Sequence, residues 1–250
     1  MRALIISDIH ANLEALEAVL ASAPAHDVVW NLGDTVGYAA NPNEVIERID
    51  KIGSICIRGN HDRACSSSAE NEDFSPIADR AVQWTRSVLT RENLHWLESL
   101  RVGPLSPRAE GVSCVHGSPV HEDEYLVSPD DAGVAFQAAR ERITFFGHTH
   151  MQVGFASDGE ELITMEPLYS SDVDADEYEM PLRRGIRYLL NPGSVGQPRD
   201  GDWRAAFAIY DEDRALFTWR RTPYDVSKTQ ESIYRAGLPY MLANRLVAGR

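Results

Sequence analysis

A chain of 250 residues that is 43% hydrophobic can bury a substantial core, and its formal charge of −14 narrows what it can bind. Non-specific nucleic-acid binding rests on Lys and Arg neutralising phosphates, so a nucleic-acid partner is disfavoured. A small anionic substrate would need local positive charge against that field, which bound cations can supply.

No stretch approaches the roughly 18 apolar residues of a membrane span. The opening run MRALIISDIH lacks the basic, apolar, small-residue pattern of a secretory signal. Cys56, Cys65 and Cys114 show no paired spacing, and two of them lie in apolar, strand-like runs. These features together predict a cytoplasmic protein with no membrane association.

In chain order, Ala3–Ile6 reads as a strand, Leu13–Leu20 as a helix, Asp27–Leu32 as a strand, Asn43–Ile49 as a helix after Pro42, and Gly53–Ile57 as a strand. That β-α-β-α-β rhythm predicts a parallel sheet with helices on its faces. Phe74–Leu89 and Glu92–Leu100 follow as a helical pair. The second half is strand-rich, with runs near Leu100–Leu105, Val112–Val115, Ile143–Phe146, Val153–Phe155, Leu162–Met165, Ile186–Leu190, Ala205–Tyr210 and Ala215–Trp219. Asp158-Gly159 signals a hairpin, and Asp211-Glu212-Asp213 does so with less force. Helices are expected over Ala132–Arg140 and Asp225–Ala236, with a short one after Pro239. The acidic segment Ser170–Glu179 lacks clear periodicity and reads as an exposed loop. No repeat or low-complexity linker divides the chain, so residues 1–250 are expected to form one domain.

Ligand-type residues recur just past predicted strand ends. ALIIS is followed by Asp8-Ile9-His10, DVVWNL by Gly33-Asp34, and SICIR by Gly59-Asn60-His61-Asp62. VSCV is followed by His116-Gly117, and ITFF by Gly147-His148-Thr149-His150. Open α/β sheets bind ligands outside the carboxyl ends of their strands, so five segments converge on one rim. Singly, each motif has a bland reading: Asp8 as a helix cap, Asp34 in a glycine turn, His116 as a hydrogen-bonded core histidine. Their joint occurrence favours a metal site. Carboxylate mixed with imidazole suits Mn, Fe, Zn or Co better than an oxygen-only ion, and a carboxylate can bridge two cations with its two oxygens.

The order Asp-x-His, Gly-Asp, Gly-Asn-His-Asp, His, Gly-His-x-His resembles the calcineurin-like metallophosphoesterase superfamily. Asn191-Pro192-Gly193-Ser194-Val195-Gly196-Gln197-Pro198-Arg199 resembles a loop of its YfcE-like bacterial and archaeal branch. The resemblance implies an α/β fold, a two-sheet sandwich flanked by helices. It implies two divalent transition-metal ions, with manganese favoured: Asp8, His10 and His150 on one, Asn60, His116 and His148 on the other, and Asp34 between them. His61 would stabilise the phosphoryl group or protonate the leaving alkoxide, and Asp62 could orient His61 or merely cap a turn.

The chain departs from the phosphoprotein phosphatases of that superfamily. After Gly33-Asp34 it runs Thr35-Val36-Gly37-Tyr38-Ala39, without their acid and phosphate-gripping arginine. A small phosphoester substrate is therefore expected, diester or monoester. Arg199 is the candidate substitute anion contact or else a surface arginine, and Asn12 is a substrate-side candidate that could hydrogen-bond behind the metal ligands or face solvent near a helix start. His26, His95 and His121 read as structural or solvated. The competing functions are a protein-interaction scaffold on the same fold, as in the retromer subunit, and a nuclease. Oligomeric state is left open.

Overall fold

The computed structural model describes residues 1–67, 74–107 and 109–250. Its first sheet begins with β1 (Arg2–Ile6), β2 (Val28–Asn31) and β3 (Ile55–Cys56), parallel to one another. Helices α1 (Leu13–Ser22) and α2 (Pro42–Ile52) make the crossovers. Pro42 opens α2, where a missing N–H is harmless. Three antiparallel strands complete the sheet: β10 (Ala205–Asp211) beside β1, then β11 (Leu216–Thr222), then β8 (Asp176–Pro181) at the edge.

The second sheet takes the order β4 (Val112–Cys114), β5 (Ile143–Phe145), β9 (Arg187–Pro192), β6 (Gln152–Ser157), β7 (Leu162–Met165). β4, β5 and β9 are parallel, whereas β6 runs antiparallel to β9 and forms the expected Asp158-Gly159 hairpin with β7. The sheets face each other across an apolar core. Ala3, Ile5, Trp30, Phe217 and Trp219 from the first meet Cys114, Ile143, Phe145 and Leu190 from the second. Being buried on both faces explains why β1 is a continuous apolar run rather than an alternating one.

The outer face of the first sheet is covered by α1, α2, α7 (Val226–Arg235) and α8 (Tyr240–Asn244). α6 (Pro129–Ala138) covers the second, with Ala132, Ala135 and Phe136 against Phe155 and Leu189. α3 (Asn60–Ser66), α4 (Pro76–Val88) and α5 (Arg91–Ser99) pack around Val36, Ile46, Val82 and Leu97. This is the expected two-sheet α/β sandwich flanked by helices. No helix among the described residues is long and apolar enough to cross a membrane.

Two local expectations differ from the structure. Leu100–Leu105 is not a strand: it makes only isolated bridges at Arg101 and Leu105, and Pro104 between them has no N–H for a ladder. Conversely, part of the expected loop Ser170–Glu179 is β8. Its carboxylates face solvent on a sheet edge, where charge discourages further pairing, while Met180 packs on the inter-sheet core and Tyr178 lies against Trp219. The acidic residues hid the alternation.

Candidate metal centre

The carboxyl ends of β1, β2, β3, β4 and β5 point at one rim. There the ligand atoms of Asp8, His10, Asp34 and His150 lie within 4.8 Å of one another, as do those of Asp34, His116 and His148. Asp34 belongs to both groups. Asn60 joins the second, its Oδ1 lying 3.2 Å from His116 Nε2.

Short chain reversals aim these side chains. Asp8, His10, Asp34, His148 and His150 adopt φ of 53°, 50°, 54°, 67° and 61°, the left-handed region that non-glycine residues seldom occupy. Each such residue costs about 1–2 kcal/mol. Backbone bonds between the turns hold them: Asp8 N–H donates to Gly33 O at 2.9 Å and His10 N–H to Asp34 O at 3.0 Å. The His148 N–H donates to the Asp8 carboxylate at 3.1–3.2 Å. Gly59 must be glycine here, because a Cβ would collide with Asp34 Oδ1 and its backbone N.

All four imidazoles are oriented by backbone carbonyls. Nδ1–H of His10 donates to Val36 O (3.0 Å), that of His116 to Leu32 O (2.9 Å) and that of His150 to Gln197 O (2.6 Å). His148 is reversed, with Nε2–H donating to Asp123 O at 3.2 Å. At His10, His148 and His150, which burial keeps neutral, the bond fixes one tautomer and leaves the other nitrogen as a bare lone pair on the site, the usual arrangement of metal-binding histidines. Asp34 divides its labour. Oδ1 accepts from His61 N–H at 2.8 Å, while Oδ2 lies 3.6 Å from His10 Nε2 and 3.5 Å from His116 Nε2. Oδ2 therefore faces both groups.

Burial sets the electrostatics. It pushes Asp8 up to about 7, with the Asp34 charge adding to the effect. Against burial, which pulls it down, the neighbouring Asp34 and Asp8 carboxylates raise His116 to about 10. Burial takes His10 and His150 well below the ordinary imidazole value and takes His148 down to about 3.

His61 is held by rings rather than hydrogen bonds. It stacks on Phe74 (4.7 Å), meets His10 edge-on (4.8 Å) and touches Tyr38 (4.4 Å). Its Nδ1 is buried without a partner among the described residues, and burial lowers its pKa to about 4.

The remaining expected residues are placed as follows. Asp62 does not orient His61: its two oxygens accept from Val36 N–H (3.1 Å) and Gly59 N–H (3.0 Å), so the turn-cap reading holds. Asn12 reaches neither substrate space nor solvent. It is fully buried, caps α1 through Ala15 N–H, accepts from Thr229 and donates to Gly196 O at 2.9 Å. Arg199 does lie at the rim, its N–H donating to His150 O at 3.1 Å and its Nη2 to Tyr38 Oη at 3.3 Å. His26 bonds a nearby carbonyl, His95 pairs with Glu98, and His121 turns a surface loop.

Sequence reasoning missed two tyrosines. Tyr38 lies on His10 at 4.5 Å, and Tyr125 lies on His148 at 4.0 Å. Tyr38 stands four residues after Asp34 and could have been suspected from that position, but Tyr125 carries no local signal.

The chain belongs to the calcineurin-like phosphoesterase superfamily, whose domain model matches residues 1–215. It is 36% identical to MJ0912 of Methanocaldococcus jannaschii over 98% of this chain and 97% of that one. It also superposes on a metallophosphoesterase from Sphaerobacter thermophilus with a TM-score of 0.87 and 39% identity, covering 100% and 99% of the two chains. PH1004 of Pyrococcus horikoshii shares the fold, with a TM-score of 0.75 at 18% identity over 100% and 98% of the chains.

Proposed function

We propose that the protein hydrolyses phosphate esters of small molecules, using two divalent transition-metal ions, manganese foremost. Asp8, His10 and His150 would hold one and Asn60, His116 and His148 the other, with Asp34 shared. The observation carrying this reading is the set of four imidazoles each tied to a carbonyl through one ring nitrogen, in two buried groups that share Asp34. Donor chemistry fits cations. His10 and His150 present lone pairs to each other. Two such ions lower the pKa of a shared water towards about 7 and polarise phosphoryl oxygens.

The chain's own residues supply the rest. Asp34 Oδ1 grips His61 through the backbone, and the surrounding rings fix the imidazole beside His10. Being neutral near pH 7, that ring serves as a hydrogen-bond donor to a phosphoryl or leaving oxygen. A scaffold needs none of this machinery. Three free cysteines agree with a reducing cytoplasm.

The test is hydrolysis of p-nitrophenyl esters by manganese-loaded protein beside two variants. Asp34→Asn should lose bound metal and activity together. His61→Gln should keep its metal and lose roughly 10²-fold in kcat. Metal-loaded wild type that turns over neither monoesters nor diesters would refute the proposal.

A further inference from the structure

Arg199 reaches the site from the loop after β9, where its guanidinium has little structural employment. Nη2 donates to Tyr38 Oη (3.3 Å) and Gln197 Oε1 (3.2 Å), and Cζ lies 5.8 Å over the Tyr38 ring. Its Nε is buried and has no hydrogen-bond partner among the described residues. No carboxylate among those residues forms an ion pair with it, although the chain carries 38 acidic residues against 24 basic ones. Nearby arginines are differently placed: Arg58 and Arg63 are committed to Glu122 and Asp123.

The loop is built to hold this side chain still. Gln197 uses its carbonyl to fix His150 and its side chain to fix Arg199, so one residue sets a metal-type ligand and the guanidinium together. Val195 and Gly196 donate to Ser7 O and Asp8 O at 3.0 Å each. Gly196 allows this approach, since a Cβ there would run into Ile9 O. Arg199 also spans the mouth. Tyr38 stands over His10 and His61 on one side, Tyr125 over His148 on the other, and the Tyr38 hydroxyl accepts from the guanidinium. The field of Arg199 acts on Asp8, His10, His61 and His150 alike.

We infer that Arg199, steadied by Tyr38 and Gln197, receives a third non-bridging oxygen of the phosphoryl group, which makes the site selective for phosphomonoesters. This rests on the phosphoesterase reading above. The chemistry is a count of oxygens and charge. A diester phosphorus has two non-bridging oxygens and one negative charge, and cations clamp phosphoryl oxygens in two-metal sites. A monoester, or a terminal phosphate, adds a third oxygen and up to one more charge. A planar guanidinium with no carboxylate partner among the described residues is the group suited to take it. A diester carries an alkyl or aryl group there instead, which meets an unpaired cation.

The experiment compares p-nitrophenyl phosphate with bis-p-nitrophenyl phosphate on manganese-loaded wild type, Arg199→Gln and Arg199→Lys. It is joined by calorimetric titration of inorganic phosphate and dimethyl phosphate, with metal content measured on every sample. Wild type should favour the monoester and bind phosphate more tightly than dimethyl phosphate. Arg199→Gln should keep its metal and lower the monoester-to-diester ratio of kcat/KM by roughly 10- to 100-fold, with the phosphate advantage shrinking in parallel. Arg199→Lys should restore part of both, as a point charge without the fork. Equal losses on both esters, an unchanged ratio, or wild-type preference for the diester would each overturn the inference. Should neither ester be cleaved, the hydrolase reading falls on its own, and the phosphate and dimethyl phosphate titrations still decide the role of Arg199.

Discussion

The Nε2 atoms of His10 and His150 lie 3.0 Å apart with no proton available to either, because each ring spends its N–H on a carbonyl, Val36 O or Gln197 O. Two lone pairs at that distance repel, and burial resists protonating either ring. A cation between them turns the repulsion into two bonds. Manganese at 100-fold over its dissociation constant should therefore stabilise the fold by about 2.7 kcal/mol. At about 2–4 °C per kcal/mol for a chain of this size, scanning fluorimetry should read a rise of roughly 5–10 °C, reversed by chelator. His150→Ala should lose most of the shift. An unchanged midpoint in wild type would mean that the centre takes no manganese.

Asp62 stands beside His61 but acts on the backbone. Its two oxygens tie Gly59 N–H at the start of α3 to Val36 N–H in the loop after β2. Asp62→Asn keeps the size and turns an NH2 group towards one of those donors, leaving a buried N–H unpaired at about 1–3 kcal/mol. The expected result is a lower urea midpoint with near-normal His61 function per folded molecule. A large kcat loss at unchanged stability would restore a direct link between Asp62 and the His61 ring.

The site was readable because its residues are local to strand ends. Asp8, Asp34, Asn60, His116 and His148 each follow a recognisable apolar run, and parallel strands put such ends on one rim. The sheet order was not readable, since β10 inserts beside β1 from about 200 residues away and nothing local announces that pairing. The choice between the two roles open to Asp62, and the partners of Asn12, were hidden for a related reason. Whether a buried amide or carboxylate serves chemistry or the backbone depends on which N–H groups the fold brings to it, as Gly196 O and Thr229 show for Asn12. Tyr125 was invisible because the loop that carries it is pinned by Arg58 and Arg63 to Glu122 and Asp123, ion pairs between distant segments.

Cysteine reactivity gives a check on burial. Burial, reinforced by Asp62 and Asp50, pushes the Cys56 thiol up to about 12, and burial raises Cys65 and Cys114 as well. Only the thiolate attacks iodoacetamide, so at pH 8 about one Cys56 in 10⁴ is reactive. Native protein should resist alkylation at pH 8, and all three thiols should label rapidly in guanidinium. The sign for stability follows. A folded pKa above the unfolded value of 9.0 protects below about pH 9, and that contribution fades as pH rises towards 12. Rapid labelling of Cys56 at pH 8 without unfolding would show that this corner opens.

Behind the Arg199 loop lies a charged cluster that no sequence pattern announced. Arg221 is 3% exposed and Arg204 is 1% exposed. Arg221 binds Asp200, Gln152 Oε1 (2.8 Å) and Arg204 O (3.0 Å), while Arg204 grips Asp202 at 3.0 Å through Nε. Asp200 in turn accepts from Gln152 N–H at 3.1 Å, which fastens the segment after Arg199 to β6. Removing one partner strands a buried charge at a typical loss of about 3–5 kcal/mol, whereas replacing both with apolar groups is far milder. Asp200→Ala should therefore destabilise the protein strongly, and Asp200→Ala combined with Arg221→Met should recover much of the loss. Denaturant unfolding of the two single variants and the pair measures the coupling directly. Additive losses would mean that Arg221 and Asp200 are each held mainly by other partners, and that the loop presenting Arg199 does not depend on their pairing.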